Sequence, residues 1–307
     1  MKIAIIGTGG VGGYFGAKLN QAGYDVTFLV RGEHLKAMQT RGLEVRSILG
    51  DFRLDSVHAT DNIQELGVSD LIILGIKAWQ VREIAPQLPQ IMNDHTVVLP
   101  LQNGVMASEE LMDHIPAKHV LGGLCRIISK IEAPGVIHHM SVTPTIILGE
   151  LNNERTQRTT NIHDLFTKAG IASKVATDIQ AELWRKFIYI CFSGLLAVTR
   201  STYGQVRELK ETRQMTIDLF TEIYVLSQKM GINIESNFVE KTIASIDEIA
   251  YDMTTSLARD VWDGKPSEIE YQNGTVVRLG LKYGVPTPVN KFIYECILPM
   301  EKRARSK

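Results

Sequence analysis

Ile3-Ala4-Ile5-Ile6-Gly7-Thr8-Gly9-Gly10-Val11-Gly12, near the start of the chain, decides the fold. Ile3 to Ile6 is a continuous apolar run, too short for a helix and closed by glycine, which reads as a buried parallel strand. Gly7 to Gly12 fits G-x-G-x-x-G, and Val11, Phe15, Leu19 and Ala22 then recur at helical spacing. A Gly23-Tyr24 turn leads into a second strand over Asp25 to Val30. Strand, glycine-rich turn, helix, strand is the context in which this motif has a mechanism. Gly7 permits the tight turn, Gly9 lets the backbone approach a pyrophosphate, and Gly12 lets the helix pack on the sheet. The helix N-terminus supplies unpaired N–H groups and a positive dipole end to the anion. Thr8, Gly10 and Val11 complete the predicted cradle.

Further along, Leu71 to Leu74 and Thr96 to Leu99 read as buried strands, with a helix around Val81 to Leu88 between them. This alternation predicts an α/β fold with an N-terminal Rossmann-type, doubly wound parallel sheet. Between Val120 and Gly149 shorter extended pieces, punctuated by Pro134-Gly135 and Pro144, suggest a more antiparallel flank. From Asp178 onward Ala181 to Val198, Val206 to Lys229, Phe238 to Ala250 and Glu268 to Tyr283 are helix-like in period and length. The expected organisation is a dinucleotide-binding domain over 1–177 and an all-helical domain over 178–307. No Gly/Ser linker marks the boundary, so closely packed domains with a ligand cleft between them are expected.

Composition narrows the function. The 307 residues are 44% apolar and 22% charged, ordinary for a soluble globular protein of about two domains at roughly 150 residues each. Lys and Arg total 33 against 34 Asp and Glu, a net charge of -1, which leaves no electrostatic footprint for nucleic acid or an anionic membrane. The longest mostly apolar stretch, Phe187 to Val198, falls well short of the roughly 20 residues of a bilayer span. The first residues lack the basic region and cleavage site of a signal peptide, and a cytoplasmic location is expected. Cys125, Cys191 and Cys296 lie far apart with no CxxC spacing, so neither a disulfide framework nor a zinc site is predicted. Cys125 reads as a buried, inert thiol. His138-His139 has no third ligand at metal spacing and reads as part of a surface strand. Glu208-Leu209-Lys210-Glu211 reads as a solvated helical face.

The end of the second strand bears on the cofactor. An Asp or Glu there would accept from the ribose 2′-OH of NAD. The chain instead has Leu29-Val30-Arg31-Gly32, and the Arg31 guanidinium suits a bidentate grip on a 2′-phosphate. NADPH/NADP+ is therefore favoured, with Glu33 as the competing NAD reading. Lys77 and Asn103 follow the strands ending at Leu74 and Leu99, at the carboxyl ends where open α/β sheets bind ligands. On spacing alone either could be an ordinary loop residue. Lys186 lies among Trp184, Phe187, Ile188 and Ile190, where partial desolvation would lower a lysine pKa and suit proton donation to a developing alkoxide. A lysine snorkelling to solvent is the competing reading.

Taken together in order and spacing, these segments resemble the ketopantoate reductase (2-dehydropantoate 2-reductase) family over essentially the whole chain. The match is carried by Ile5 to Gly12, Val30-Arg31-Gly32, Lys77-Ala78-Trp79-Gln80-Val81, Gln102-Asn103-Gly104-Val105 and Leu183-Trp184-Arg185-Lys186-Phe187. Ser256-Leu257-Ala258-Arg259-Asp260, Glu268 to Gly274 and Gly284 to Asn290 extend it. The resemblance implies NADPH-dependent reduction of 2-dehydropantoate to pantoate, a step towards pantothenate and coenzyme A. It implies Lys186 as general acid and Glu268 as a residue that bonds the reacting oxygen or orders the lysine. Asn103 would lie beside the nicotinamide and Lys186, Arg31 and Lys77 would contact the adenine-ribose phosphate end, and Ser256 and Asp260 would face the substrate. One departure stands out. The best-studied branch has substrate-binding asparagines four and eight residues after the lysine, where this chain has Ile190 and Gly194. Residues 186, 190 and 194 share a helix face, so the expected pocket wall lacks two amides, and Ser193 could restore one hydroxyl. The departure keeps open a paralogous 2-hydroxy-acid dehydrogenase, and a non-catalytic NADP(H) sensor is the reading from another class. The expected partner is a small 2-oxo acid, and a homodimer is left open.

Overall fold

The computed structural model describes residues 1–306, and the chain divides into two compact units, residues 1–102 with 106–179 and residues 103–105 with 180–307. The first unit runs β1 (Lys2–Ile6), α1 (Gly10–Gln21), β2 (Asp25–Leu29), α2 (Gly32–Arg41), β3 (Leu43–Ser47), β4 (Phe52–Leu54), β5 (His58–Thr60), β6 (Leu71–Leu74), α3 (Val81–Ile84), β7 (Val97–Pro100), α4 (Ala107–Met112), β8 (Gly122–Ala133), β9 (Val136–Gly149), α5 (Gln157–Lys168) and β10 (Ala172–Val175). The second holds α6 (Ile179–Thr199), α7 (Tyr203–Glu208), α8 (Lys210–Lys229), α9 (Phe238–Asp247), α10 (Ser256–Trp262), α11 (Asn273–Tyr283) and α12 (Pro288–Arg305).

The doubly wound sheet has the order β5-β2-β1-β6-β7, every pair parallel. Its strands β1, β6 and β7 read as near-unbroken apolar runs because both faces are covered. Ile3, Ile5, Leu71, Ile73, Val97 and Leu99 pack on one face with Phe15, Leu19 and Phe28. Ala4, Ile6, Ile72, Leu74 and Val98 pack on the other with Val81, Leu88 and Ile91. Each fully buried Ile or Leu contributes about 1.5–3 kcal/mol. A one-residue slip would swap all the residues of a strand between two differently shaped cores, which sets the register.

The flank expected to be antiparallel is a second sheet of order β10-β9-β3-β4, with β8 paired antiparallel to β9. The structure shows one long hairpin where short pieces were expected, turned at Pro134-Gly135 with Gly135 at φ +80°. Pro144 does not end β9. It sits between the stretch paired to β3 (Val136 to His139) and the stretch paired to β10 (Thr145 to Leu148), where its missing N–H costs no ladder bond.

Other boundaries also moved. The helix expected over Val81 to Leu88 is α3 followed by a 3-10 stretch over Ala85–Ile91, because Pro86 and Pro89 cannot donate to an α-helical ladder. The helix expected from Val206 breaks at Leu209, which is extended and 58% exposed. Glu208 beside it accepts from the Tyr251 hydroxyl at 2.8 Å rather than facing solvent alone. The helix expected from Glu268 starts as a 3-10 turn over Ile269–Tyr271 before α11. In the second unit Trp184, Phe187, Phe192 and Leu195 of α6 share one buried cluster with Leu219, Phe220 and Ile223 of α8 and Ile293 of α12. No helix among the described residues is long and apolar enough to cross a membrane.

Candidate functional site

The glycine loop is built by close approach. Gly7 has φ +90°, and a Cβ there would lie 2.4 Å from Ile76 Cγ2. A Cβ on Gly12 would lie 2.1 Å from the Gly7 carbonyl oxygen, and one on Gly10 2.4 Å from the Ser129 carbonyl oxygen. Gly9 is the exception, since a Cβ there would meet nothing within 4 Å. The loop is thus closed against protein on the sides of Gly7, Gly10 and Gly12 and open at Gly9. Gly9 is also the N-cap of α1, with no side-chain cap and no acidic residue in the first turn. Thr8 Oγ1 donates to the Leu29 carbonyl at 3.2 Å and the Gly7 N–H to the same oxygen at 3.1 Å, so the loop is pinned to the end of β2. An open glycine beside an uncapped helix N-terminus fits a pyrophosphate.

Arg31 is exposed at the N-cap of α2, with extended backbone and no cap of its own. Glu33 pairs with Lys36 at 2.7 Å on the solvent side of α2. Lys77 is half-buried after β6, its ammonium 5.8 Å from the Trp79 ring centroid and its backbone N–H donating to Gln80 Oε1 at 3.1 Å. His34, which the sequence did not single out, is buried one turn into α2. Its Nδ1 accepts from the Gly135 N–H at 2.8 Å, and burial pushes the imidazole below its ordinary range.

In the second unit two predicted residues 165 positions apart touch. Asn103 Nδ2 donates to Glu268 Oε2 at 2.9 Å, and Glu268 is 5% exposed. Gly104, at φ +98°, brings its backbone against the Tyr271 carbonyl, where a Cβ would lie 2.9 Å from the oxygen. Lys186 is half-buried on α6, beside buried Phe187 and Ile188. Ser256 and Asp260 lie one turn apart on α10, the first exposed and the second half-buried. Thr255 is the cap of this helix, accepting from the Ala258 N–H at 3.3 Å, so Ser256 is not needed for capping.

The face of α6 beyond Lys186 differs from a simple wall. Ile190 is half-buried, but Ser193 and Gly194 are buried, and a Cβ on Gly194 would lie 2.4 Å from Asn273 Oδ1 and 2.6 Å from Ile293 Cγ2. Asn273 fills the space. Its Nδ2 donates to the Cys191 carbonyl at 3.2 Å and to Asn290 Oδ1 at 2.9 Å, and Asn290 in turn donates to Glu222 at 2.7 Å. Ser193 is 5% exposed.

Away from these residues, the strand expectation for His138-His139 holds but the surface expectation does not for His139. It is fully buried between Ser47 Oγ at 2.8 Å and the Val142 carbonyl at 2.8 Å, while His138 faces Glu132 at 3.3 Å. No cluster of three metal-ligating side chains occurs among the described residues. Cys125 is buried, as expected.

A family model described as ketopantoate reductase matches residues 3–153, and its C-terminal counterpart matches residues 178–301. The chain belongs to the ketopantoate reductase family. Among relatives, a 2-dehydropantoate 2-reductase of Nostoc sp. is 32% identical over 99% of this chain and 97% of its own length. An uncharacterized oxidoreductase, YkpB, of Bacillus subtilis is 28% identical over 96% of this chain and 97% of its own. The crystal structure of 2-dehydropantoate 2-reductase from Geobacter metallireducens superposes with a TM-score of 0.91 at 27% identity, covering 97% of this chain and 99% of that one. The protein is thus an oxidoreductase of this family on a Rossmann-type unit followed by a helical one, and ketopantoate reductases use NADPH.

Proposed function

We propose that the protein reduces a branched 2-oxo acid with NADPH, and that 2-dehydropantoate is its substrate. The observation that carries this reading is the Asn103–Glu268 hydrogen bond, which brings together, 165 positions apart in the chain, two residues to which the family resemblance gives roles at the reacting centre. The glycine cradle, Arg31 and Lys77 would hold the cofactor, which when bound supplies hydride to C2 of the 2-oxo acid. Negative charge then grows on the C2 oxygen. The Lys186 ammonium stabilises that charge and gives up its proton to it. Glu268 orders the lysine and, by accepting from Asn103, fixes which end of that amide faces the ligand. Ser256 and Asp260 bind the substrate from α10.

The test is NADPH oxidation at 340 nm with 2-dehydropantoate and with 2-oxo acids that lack its hydroxyl. Saturable turnover with 2-dehydropantoate is the expected result. Turnover with another 2-oxo acid alone would keep the chemistry and move the substrate. That second reading is favoured by Ile190, the half-buried residue one turn from Lys186, and by Gly194, which Asn273 closes off. Silence across the panel with NADPH still bound would leave the sensor reading.

Arg31 has its own prediction. Arg31→Asp should weaken NADPH by about 100-fold, since a bidentate charge-assisted contact is replaced by like-charge repulsion, while NADH binding changes by less than about fivefold. Fluorescence titration with both cofactors checks this, and equal weakening would show that Arg31 does not read the 2′-phosphate.

A further inference from the structure

Gln102 has no role in the chemistry above, yet it is 5% exposed at the carboxyl end of β7. Its carboxamide Nε2 donates to the Leu74 carbonyl at 2.9 Å and to the Ile76 carbonyl at 3.3 Å. Leu74 is the last residue of β6, and its oxygen already accepts from the Leu101 N–H at 3.1 Å, as a strand ladder requires. Ile76 lies beyond the strand. One planar NH2 group thus extends the sheet's hydrogen bonding past its last ladder bond and holds the segment that leads into Lys77.

That segment is also the wall of the glycine loop. Ile76 Cγ2 and the Ile76 backbone N lie 2.4 and 2.9 Å from the position of a Cβ on Gly7, and Gly75 packs equally closely on the backbone of Gly12. The Gly75 N–H donates to the Ile6 carbonyl at 2.8 Å, just before the glycine turn. The first and last glycines of the motif therefore keep their shape only while residues 75 to 77 stay in place.

We infer that Gln102 is a positioning residue for the cofactor, tying Gly75 to Lys77 against the glycine loop so that the cradle and Lys77 are held before NADPH arrives. The inference rests on the proposal that the loop binds NADPH. A donor is the essential feature. Methionine at 102 keeps the volume and loses both N–H groups. Glutamate keeps the shape and sets a carboxylate against two carbonyl oxygens.

The experiment compares the full-length protein with Gln102→Met and Gln102→Glu, using NADPH fluorescence titration, steady-state kinetics and hydrogen exchange of the cofactor-free protein. Gln102→Met should raise the NADPH dissociation constant and the KM for NADPH together by about five- to tenfold, the loss of one to two net hydrogen bonds. The KM for the 2-oxo acid and kcat should stay within about twofold. Exchange should quicken over residues 75–78 and 7–13. Gln102→Glu should be worse than Gln102→Met, the reverse of what shape alone would give. Wild-type affinity in Gln102→Met, or a rise in both KM values together with a fall in kcat, would overturn the positioning role. Failure of the wild-type protein to bind NADPH would instead overturn the reading on which it rests.

Discussion

Replacing Lys186 by Ala should lower kcat for 2-oxo acid reduction by about 100- to 10,000-fold, the usual contribution of a positioned general acid. The NADPH dissociation constant should change by less than about threefold, because the cradle, Arg31 and Lys77 belong to other elements. The expectation follows from the proton-donor role proposed for Lys186 and from the half-burial of its side chain. Lys186 is half-buried on α6 between fully buried Phe187 and Ile188 on one side and half-buried Ile190 one turn on. An ammonium partly out of water interacts more strongly with a nascent alkoxide than an exposed one does. Single-turnover NADPH oxidation measures the chemical step directly. Near-normal turnover in Lys186→Ala would remove the lysine from the acid role, whereas an unchanged ligand response without turnover in the wild type would favour a sensor.

The second large effect is on stability. Gly194→Asn, which would restore the amide present at this position in the best-studied branch of the family, should destabilise the protein by roughly 3 kcal/mol or more. Any Cβ at 194 needs the space held by Asn273 Oδ1 and Ile293 Cγ2. Overpacking a well-filled core costs about 1–3 kcal/mol. Pushing Asn273 aside also breaks its bonds to Cys191 and Asn290, and a buried amide left unpaired costs about 1–3 kcal/mol more. Ile190→Asn, at a half-buried position, should cost far less. Denaturant unfolding of the two variants separates them, and equal midpoints would show that the Asn273 side chain moves aside without cost. Position 194 is filled by Asn273 of α11, so of the two departures only Ile190 keeps a partly exposed side chain.

The legible parts of this protein are local ones. The run Ile3 to Ile6, the glycine loop and the helical spacing of Val11 to Ala22 are short-range patterns, and each appears as β1, the turn and α1. In the second unit the 3.6-residue period located α6, α8, α9 and α11, interrupted at Leu209 and Gln272, but did not single out α12; in the first unit Pro86 and Pro89 cut the expected helix short at α3. Leu209 has no such signal, because an exposed leucine in a helical pattern looks like any other. His139 was misplaced to the surface for a related reason. Alternation along a strand does not say that Tyr14, whose ring centroid is 5.1 Å away, and the Ser47 hydroxyl at 2.8 Å will meet it.

By itself the sequence determined the doubly wound sheet, the phosphate loop, the helical second half and the family, since all of these depend on residue types at fixed short spacings. Tertiary structure alone decided the pairing of β9 with both β3 and β10, the Asn103–Glu268 bond, the filling of position 194 by Asn273 and the hold of Gln102 on the Ile76 segment. Each of these joins residues far apart in the chain. Whether such groups meet depends on how whole strands and helices pack, and neither period nor propensity carries that information.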